Sequence, residues 1–436
     1  MDYMVDEILS KLSKKVDYSE VYLEQEKSTE ISVLNDEINY AKEEDVTGIG
    51  VRVINNQQQG FSYTTNINRI DEVIEQAIKN SKLNNPDENV AIIEKPEGYT
   101  KVDGLYDKKL EEITLQEAIQ TCNHLINMVK ENECQPTSAD FEVSIGKTII
   151  ANSNDVFACE EQTGSGISVS VNAEEGEGFS SAYAYDMSHD KNLDVERIVK
   201  ESTDLAKESR YGKSTETRTT TVVLDYFAIS SLLSTFLSAL SSENTQRGRS
   251  YFQDKMNQTV TSESFSLYDD ATITGANRSS KFDDEGTPSQ NTELIKEGEL
   301  TSFIYDTYHA NKDKEDVTTT SNARRAGYSS IPSVGFTNIK TEFNEFTPIE
   351  DIADGITVHS VMGAHTANPI TGDFSVEARN AFEIKNGEII NPINKAMISG
   401  NIFEIMKEAT ALSNEIRQVG ALITPKVVAK NIRVIG

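Results

Sequence analysis

Apolar residues recur along this chain at two periods, and the switching between them gives the first outline of the fold. Met4, Ile8, Leu9 and Leu12 fall on one side of the segment from Met1 to Val16, the three-and-four spacing of an amphipathic helix. Short apolar runs at Val21 to Leu23, Ile31 to Leu34, Ile38 to Ala41 and Gly48 to Ile54 predict extended segments. Helical spacing returns over Ile67 to Leu83 through Ile70, Val73, Ile74, Ala77 and Ile78, and Asn84-Asn85-Pro86-Asp87 ends it. Val90 to Lys109 reads as a linker by its Pro, Gly and charge content. A further helix opens at Thr114-Leu115-Gln116-Glu117, a capping-box sequence, and runs to about Lys130 with Ile119, Cys122, Leu125, Ile126 and Val129 inward.

The first pattern then returns. Ala41-Lys-Glu-Glu is echoed by Ala158-Cys-Glu-Glu, Gly48-Ile-Gly-Val-Arg-Val53 by Gly166-Ile-Ser-Val-Ser-Val171, and Gly60-Phe-Ser by Gly178-Phe-Ser. The last two pairs share one offset, 118 residues (166 − 48 and 178 − 60), and a helix over Leu193 to Glu208 follows the second copy. A constant offset with matching helices indicates an internal duplication. Each copy is expected to be helix, antiparallel strands, helix.

After a polar linker, Tyr211 to Glu216, the C-terminal half begins at about Thr219. Thr221 to Leu224 is apolar, Asp225 is a candidate N-cap, and Phe227 to Leu240 carries Ile229, Leu232, Leu233, Phe236, Leu237 and Leu240 on a helical face. Ser230, Ser231, Ser234, Thr235 and Ser238 occupy the other face, where hydroxyls can bond back to carbonyls one turn earlier. No charge interrupts the stretch between Asp225 and Glu243, yet it is short of the roughly 20 apolar residues of a membrane span. It reads as a central buried helix. Lys296-Glu-Gly-Glu299 and Lys385-Asn-Gly-Glu388 predict tight hairpins. Thr347-Pro-Ile-Glu350 predicts a capped helix start, Ile402 to Ala411 a last helix and Lys426 to Val434 a closing strand. The expected fold is α+β: two related α/β modules of antiparallel strands and helices (residues 1–88 and 111–213, joined by a linker over 89–110), then a β-rich C-terminal domain over 219–436 with a central buried helix.

Composition narrows the function. The 71 acidic and 41 basic residues leave a net charge of −30, and the densest basic pair is Arg324-Arg325. That field disfavours nucleic acid and anionic membrane surfaces. MDYMVDEILSKL carries acids where a signal peptide has basic residues, and three cysteines (Cys122, Cys134, Cys159) suit reduced thiols, so a cytoplasmic setting is expected. The five histidines, His124, His189, His309, His359 and His365, show no helical metal-binding spacing. No G-x-S-x-G elbow is present, and Gly48-x-Gly50 and Gly164-x-Gly166 enter strands rather than phosphate-binding helices. Asp269-Asp270 and Glu174-Glu175-Gly-Glu177 read as solvated turns. Two loops are less ordinary: Asp283-Asp284-Glu285-Gly286-Thr287-Pro288, and Asn368-Pro-Ile-Thr371-Gly372-Asp373. Their carboxylates can cap backbone amides or orient other groups.

Phe282-Asp-Asp-Glu-Gly-Thr-Pro288 with the Lys296–Leu300 hairpin, Asp306-Thr-Tyr-His-Ala-Asn311, Asn322-Ala-Arg-Arg325, Asn368-Pro-Ile-Thr-Gly-Asp-Phe-Ser375 and Ile398-Ser-Gly-Asn401 together resemble the C-terminal domain of the TldD/PmbA (TldE) family. The resemblance implies a cytosolic zinc-dependent protease assembled as a TldD–TldE heterodimer, acting on peptides and unfolded segments. In the TldD-like subunit an H-E-x-x-x-H helix and a later cysteine hold zinc. By the surrounding leucines that motif falls here on Ser234, Thr235 and Ala239, and the cysteine position near Val419. The resemblance is therefore to the metal-free TldE/PmbA branch, with no metal or cofactor in this chain and zinc in a TldD-like partner. Asp283, Asp284, Glu285, Gly286, Thr287, Asn368, Thr371, Gly372 and Asp373 are its substrate-groove candidates. The alternative is a homodimeric, non-proteolytic peptide- or client-binding protein on the same scaffold. A hydrolase using Asp283-Asp284-Glu285 would lack a histidine or metal to activate water at neutral pH.

Overall fold

The computed structural model describes residues 2–313 and 316–436, so Met1 lies outside it. The duplication is visible in the strand register. Copy one is α1 (Asp2–Leu12), β1 (Tyr18–Leu34), β2 (Glu37–Asn55), β3 (Gln58–Thr64) and α2 (Ile70–Ser81). After the short α3 (Lys108–Glu111), copy two is α4 (Leu115–Glu131), β4 (Gln135–Asn152), β5 (Phe157–Glu175), β6 (Gly178–Ser188) and α5 (Val195–Glu208). The six strands form one antiparallel sheet in the order β3-β2-β1-β4-β5-β6. At its centre Lys27 pairs with Ile145, a separation of 118 (145 − 27), so the residue on the approximate two-fold axis faces its own repeat equivalent.

The short extended runs expected at Val21 to Leu23 and Ile31 to Leu34 are one strand of 17 residues. Ladder bonds on both sides carry the polar stretch between them, which apolar periodicity alone does not show. The first helix stops at Leu12, and the capping box at Thr114 and Glu117 forms as expected. Helices cover one face of the sheet, burying Val21, Leu23, Ile49, Val51, Ile74 and Ala77 in copy one and Leu125, Val143, Ile167, Val169 and Ile198 in copy two. The stretch over 89–110 is pinned rather than loose. Ile92, Val102 and Leu105 are buried, and Thr100 Oγ1 donates to the Ser289 carbonyl at 2.6 Å.

The C-terminal part runs β7 (Arg218–Leu224), α6 (Tyr226–Ser238), α7 (Ser242–Gln246), β8 (Phe265–Asp270), β9 (Asn291–Lys296), β10 (Glu299–Leu300) and α8 (Thr307–Lys312). It continues through β11 (Ala323–Arg324), β12 (Ser333–Val334), β13 (Ile339–Phe343), β14 (Asp354–Met362), β15 (Asp373–Lys385), β16 (Glu388–Ile393) and β17 (Ala396–Asn401). It ends with α9 (Ile402–Met406), β18 (Thr410–Val419) and β19 (Leu422–Ile435). Strands β7, β14, β15, β17 and β19 close into a ring because β19 pairs with β7 as well as β17, and β13, β8, β9 and β10 extend from β19. The fold class is α+β, as the periodicity implies. Both hairpins form, with Glu297-Gly298 and Asn386-Gly387 at positive φ.

Two expected helices shrink. The Thr347 hydroxyl is hydrogen-bonded to Thr410 Oγ1 at 2.7 Å instead of capping a helix, and only one 3-10 turn, Ile349–Asp351, follows. Ile402 to Ala411 is helical only to Met406, because Thr410 already pairs with Val428 in β18. Among the described residues no helix is long and apolar enough to cross a membrane.

Candidate functional site

Helix α6 forms where Asp225 Oδ1 accepts the Tyr226 amide at 2.7 Å, the expected N-cap. The Asp225 carboxylate also meets Lys426 Nζ at 3.0 Å and His359 Nδ1 at 3.5 Å. Burial pushes this carboxyl up, but the bond to His359 and the Lys426 charge outweigh it and hold it at about 2. A folded pKa below the ordinary ~3.9 means that the stabilisation is complete above about pH 4 and is lost as pH falls through about 2. Lys426→Met is therefore expected to cost about 1 kcal/mol at pH 7, and the deficit should shrink toward pH 2 in urea unfolding followed at several pH values.

Along α6 the serine hydroxyls bond back to the helix: Ser231 to the Phe227 carbonyl at 3.0 Å, Ser234 to Ser231 at 2.7 Å and Ser238 to Thr235 at 2.8 Å. Ser234 is exposed, Thr235 is buried, and Ala239 lies fully buried at the C-cap. Val419 is buried at the end of β18, opposite Leu422. Two hydroxyls and two alkyl groups are not a donor set for zinc, which takes imidazole, thiolate and carboxylate. No cluster of three or more His, Cys, Asp or Glu suited to a metal occurs among the described residues.

The loop of Asp283 to Thr287 is buried and internally bonded. Asp283 Oδ1 accepts the amides of Glu285 and Thr287 at 3.0 and 2.9 Å, and Oδ2 that of Ala323 at 3.2 Å. Gly286 has φ +87°, which lets the loop turn back so that Phe282 bridges to Pro288. Burial first, then the Glu285 charge, raises the Asp283 carboxyl. Glu285 Oε2 accepts the Thr307 amide at 3.1 Å, and its Oε1 lies 3.6 Å from Arg52 of β2.

Arg52 opens a buried ion network that sequence reasoning did not find. Its Nε and Nη2 donate to the two carboxylate oxygens of Glu20 at 3.0 and 2.8 Å, and Arg325 Nη2 also reaches Glu20. Arg325 further donates its amide to Asp284 Oδ2 at 2.7 Å and stacks on Tyr22 at 4.8 Å. Charges from β1 and β2 thus lock onto charges of the C-terminal domain. The available signal was the repeat itself: Glu20 and Arg52, paired across β1 and β2, stand where copy two pairs Ser138 with Ser170.

Beside this network lies a cleft of about 420 Å³ between the helix-free face of the sheet and the C-terminal domain. Strands β1, β4 and β5 form its floor, with Phe282, Asp284, Arg324 and Phe336 on the far side. Of the nine groove candidates only Asp284 lines it; Asp283 and Glu285 lie fully buried. Asn368, Thr371, Gly372 and Asp373 are elsewhere, in a loop packed on α9. There Asn401 Nδ2 donates to Asp373 at 2.9 Å, and the Phe403 ring leaves no room for a side chain at Gly372. The structure therefore does not bring the two loops into one groove. Asp269, expected in a solvated turn, is instead 2% exposed on β8, bonded to Thr337 and Asn322.

A duplicated strand-and-helix module whose two copies share one sheet, docked by buried charges on a ring-bearing domain, defines a three-part α+β architecture. Family models of the PmbA/TldA metallopeptidases match all three parts: domain 1 over residues 19–81, the central domain over 108–210 and the C-terminal domain over 217–436. The chain belongs to the TldD/PmbA metallopeptidase family. It is 35% identical over 388 residues to the Methanocaldococcus jannaschii protein MJ0231, covering 88% of each chain. A second protein of that organism, named metalloprotease MJ0996, is 32% identical over 170 residues, 38% of this chain and 37% of its own. The crystal structure of TldE from Thermococcus kodakarensis superposes with a TM-score of 0.92 at 25% identity, over 99% of this chain and 100% of that one.

Proposed function

We propose that this chain is the non-catalytic, TldE/PmbA-like subunit of a cytoplasmic TldD/TldE-type metalloprotease, paired with a TldD-like subunit that carries zinc. The observation that carries the reading is α6. At the positions where the family's zinc motif falls, Ser234, Thr235 and Ala239 supply no metal ligand and no catalytic acid, while the packing face of the helix is intact. The likeness to a TldE structure over the whole chain supports it. So does the presence in one organism of two relatives, of which one is named a metalloprotease. In the assembled enzyme the partner's zinc would activate water. This chain would close the chamber and help hold the peptide or unfolded segment being cut.

The test is reconstitution. The purified chain is expected to hold no stoichiometric zinc and to cleave no labelled casein peptide, with peptidase activity appearing when a TldD-like subunit is added. Zinc at one equivalent, or robust cleavage by the chain alone, would overturn the proposal. A stable homodimer that binds peptide and leaves the partner's activity unchanged would establish the binding-protein alternative.

A further inference from the structure

The helix-free face of the six-stranded sheet carries a trench built from its cross-strand register. Ser144 and Gly146 of β4 lie beside Gly164 and Gln162 of β5, and Gly166 lies beside Glu142. Side chains at i and i+2 share a face, so this face carries a lane of glycine and serine along β4 and β5. The cleft of about 420 Å³ runs into a cavity of about 140 Å³ with which it shares Ser144, Gly164 and His189. That cavity in turn shares Glu142, Gly166 and Met187 with one of about 270 Å³ beside Tyr183 and Tyr185. From Thr148 to Asp140 the lane spans roughly 27 Å, the length of about eight extended residues.

Gly164 is held small by the Ser144 hydroxyl, 2.9 Å from where its Cβ would stand, but packing does not require the other two glycines. A Cβ at Gly146 would meet nothing nearer than 3.9 Å, and one at Gly166 nothing nearer than 4.0 Å, at negative φ. By contrast Gly48 must be glycine, because the Tyr328 ring would stand 2.0 Å from its Cβ. Glycine inside a strand weakens it and often marks close approach of another chain. Here the missing side chains keep the floor of the trench low.

Toward its tyrosine end the wall of the trench is acidic, whereas Lys147, Arg278 and Arg324 line the large cleft at the other end. Glu30 of β1 and Glu142 of β4 are direct cross-strand partners, an arrangement of like charges that weakens a sheet. Glu26 lies four pairs further along, on the same face, and Glu142 is raised from the ordinary carboxylate range by partial burial and by the charges of Glu30 and Glu26. Glu30 accepts a hydrogen bond from the Tyr40 hydroxyl, and Lys42, opposite it on β2, gives its ammonium to Glu44 at 2.6 Å while still feeling the Glu30 charge. Among the described residues Glu26, Glu30 and Glu142 make no ion pair.

We propose that this trench holds an extended cationic polypeptide segment, with lysine or arginine side chains against Glu26, Glu30 and Glu142 and against the tyrosine rings at its far end. A cation there relieves the repulsion between the carboxylates and gains the ring faces of Tyr183 and Tyr185. The occupant lies on a sheet face, where no backbone groups are free, so side-chain charge rather than main-chain bonding selects it. The inference rests on the function proposed above only in taking the occupant to be a polypeptide.

The experiment uses the full chain and three fluorescein-labelled, C-terminally amidated octapeptides, (Lys-Ala)4, (Gln-Ala)4 and (Glu-Ala)4, read by fluorescence anisotropy. The lysine peptide is expected to bind at least tenfold tighter than the glutamine peptide at low salt, with the preference falling as salt rises. Glu30→Gln with Glu142→Gln, and separately Gly166→Val, should each weaken it at least fivefold at a melting temperature no lower than that of the unsubstituted chain. Glu174→Gln with Glu177→Gln, which removes the same charge at the exposed β5–β6 turn, should leave it unaltered. Equal binding of the lysine and glutamine peptides, tighter binding of the glutamate peptide, or equal weakening by the turn variant would overturn the proposal. Binding is read without a partner subunit, so such a result leaves the reconstitution test standing, and failed reconstitution leaves this one standing.

Discussion

Replacing Arg52 with methionine is expected to destabilise the chain by about 3–5 kcal/mol, the usual cost of removing one member of a buried ion pair. The cost comes from what is left behind. Glu20 is 1% exposed and Glu285 2% exposed, and both face Arg52 inside the contact between sheet and C-terminal domain. Arg325 still reaches Glu20, but most of its other donors are committed to Asp284 and Ser330. Burial already raises the Glu285 carboxyl, and Arg52 is the largest influence holding it down. Without Arg52 its folded pKa rises further above the ~4.3 of the unfolded chain. The folded state then keeps a proton that the unfolded state releases, so the variant's stability must fall as pH rises above about 4. Urea unfolding at pH 5 and pH 8 checks both points: the deficit should be larger at pH 8. The double variant Arg52→Met with Glu285→Gln should recover part of the loss, because it no longer strands the Glu285 charge, while Glu20 keeps Arg325.

That network also shows what could be read from residues alone. Period and punctuation were enough for both halves of the duplication, the capping box at Thr114, the Asp225 cap and the two positive-φ hairpins, because each depends on neighbours within a few positions. Strand length was not legible, since Glu24 to Glu30 is extended only through its partners on β2 and β4. Long-range partners also decide Thr347, whose hydroxyl shares a hydrogen bond with that of Thr410. The acid loop was legible as unusual, but not as a brace. Asp283 is committed to three amides, one of them 40 residues away, and nothing local distinguishes that from a substrate contact. The departure of Glu20 and Arg52 from Ser138 and Ser170 was visible once the repeats were aligned. Its meaning required the opposing domain.

The second large effect is expected at α6. Phe236→Ala should lower stability by about 3–5 kcal/mol, the range for emptying an aromatic position in a packed core. Phe236 is fully buried, with ring centroids 5.1 Å from Phe252, 5.7 Å from Phe403 and 6.4 Å from Phe265, so truncation opens a hole among three other rings. None of these can close it cheaply. Phe403 is stacked on Tyr251 at 3.9 Å and also closes over Gly372, while Phe265 is fixed in β8 by pairing with Phe343. Ser234→Ala, two residues away, should change stability by less than about 0.5 kcal/mol, because it removes one exposed hydroxyl already bonded within its own helix. The pair separates packing from chemistry along a single helix. If Ser234 retained a chemical role, its alanine variant would lower partner-dependent peptidase activity at an unchanged melting temperature. If the helix serves only to hold the domain, activity should track the fraction folded, falling for Phe236→Ala only as the thermal midpoint is approached. Thermal denaturation and peptidase rates measured on the same preparations distinguish the two.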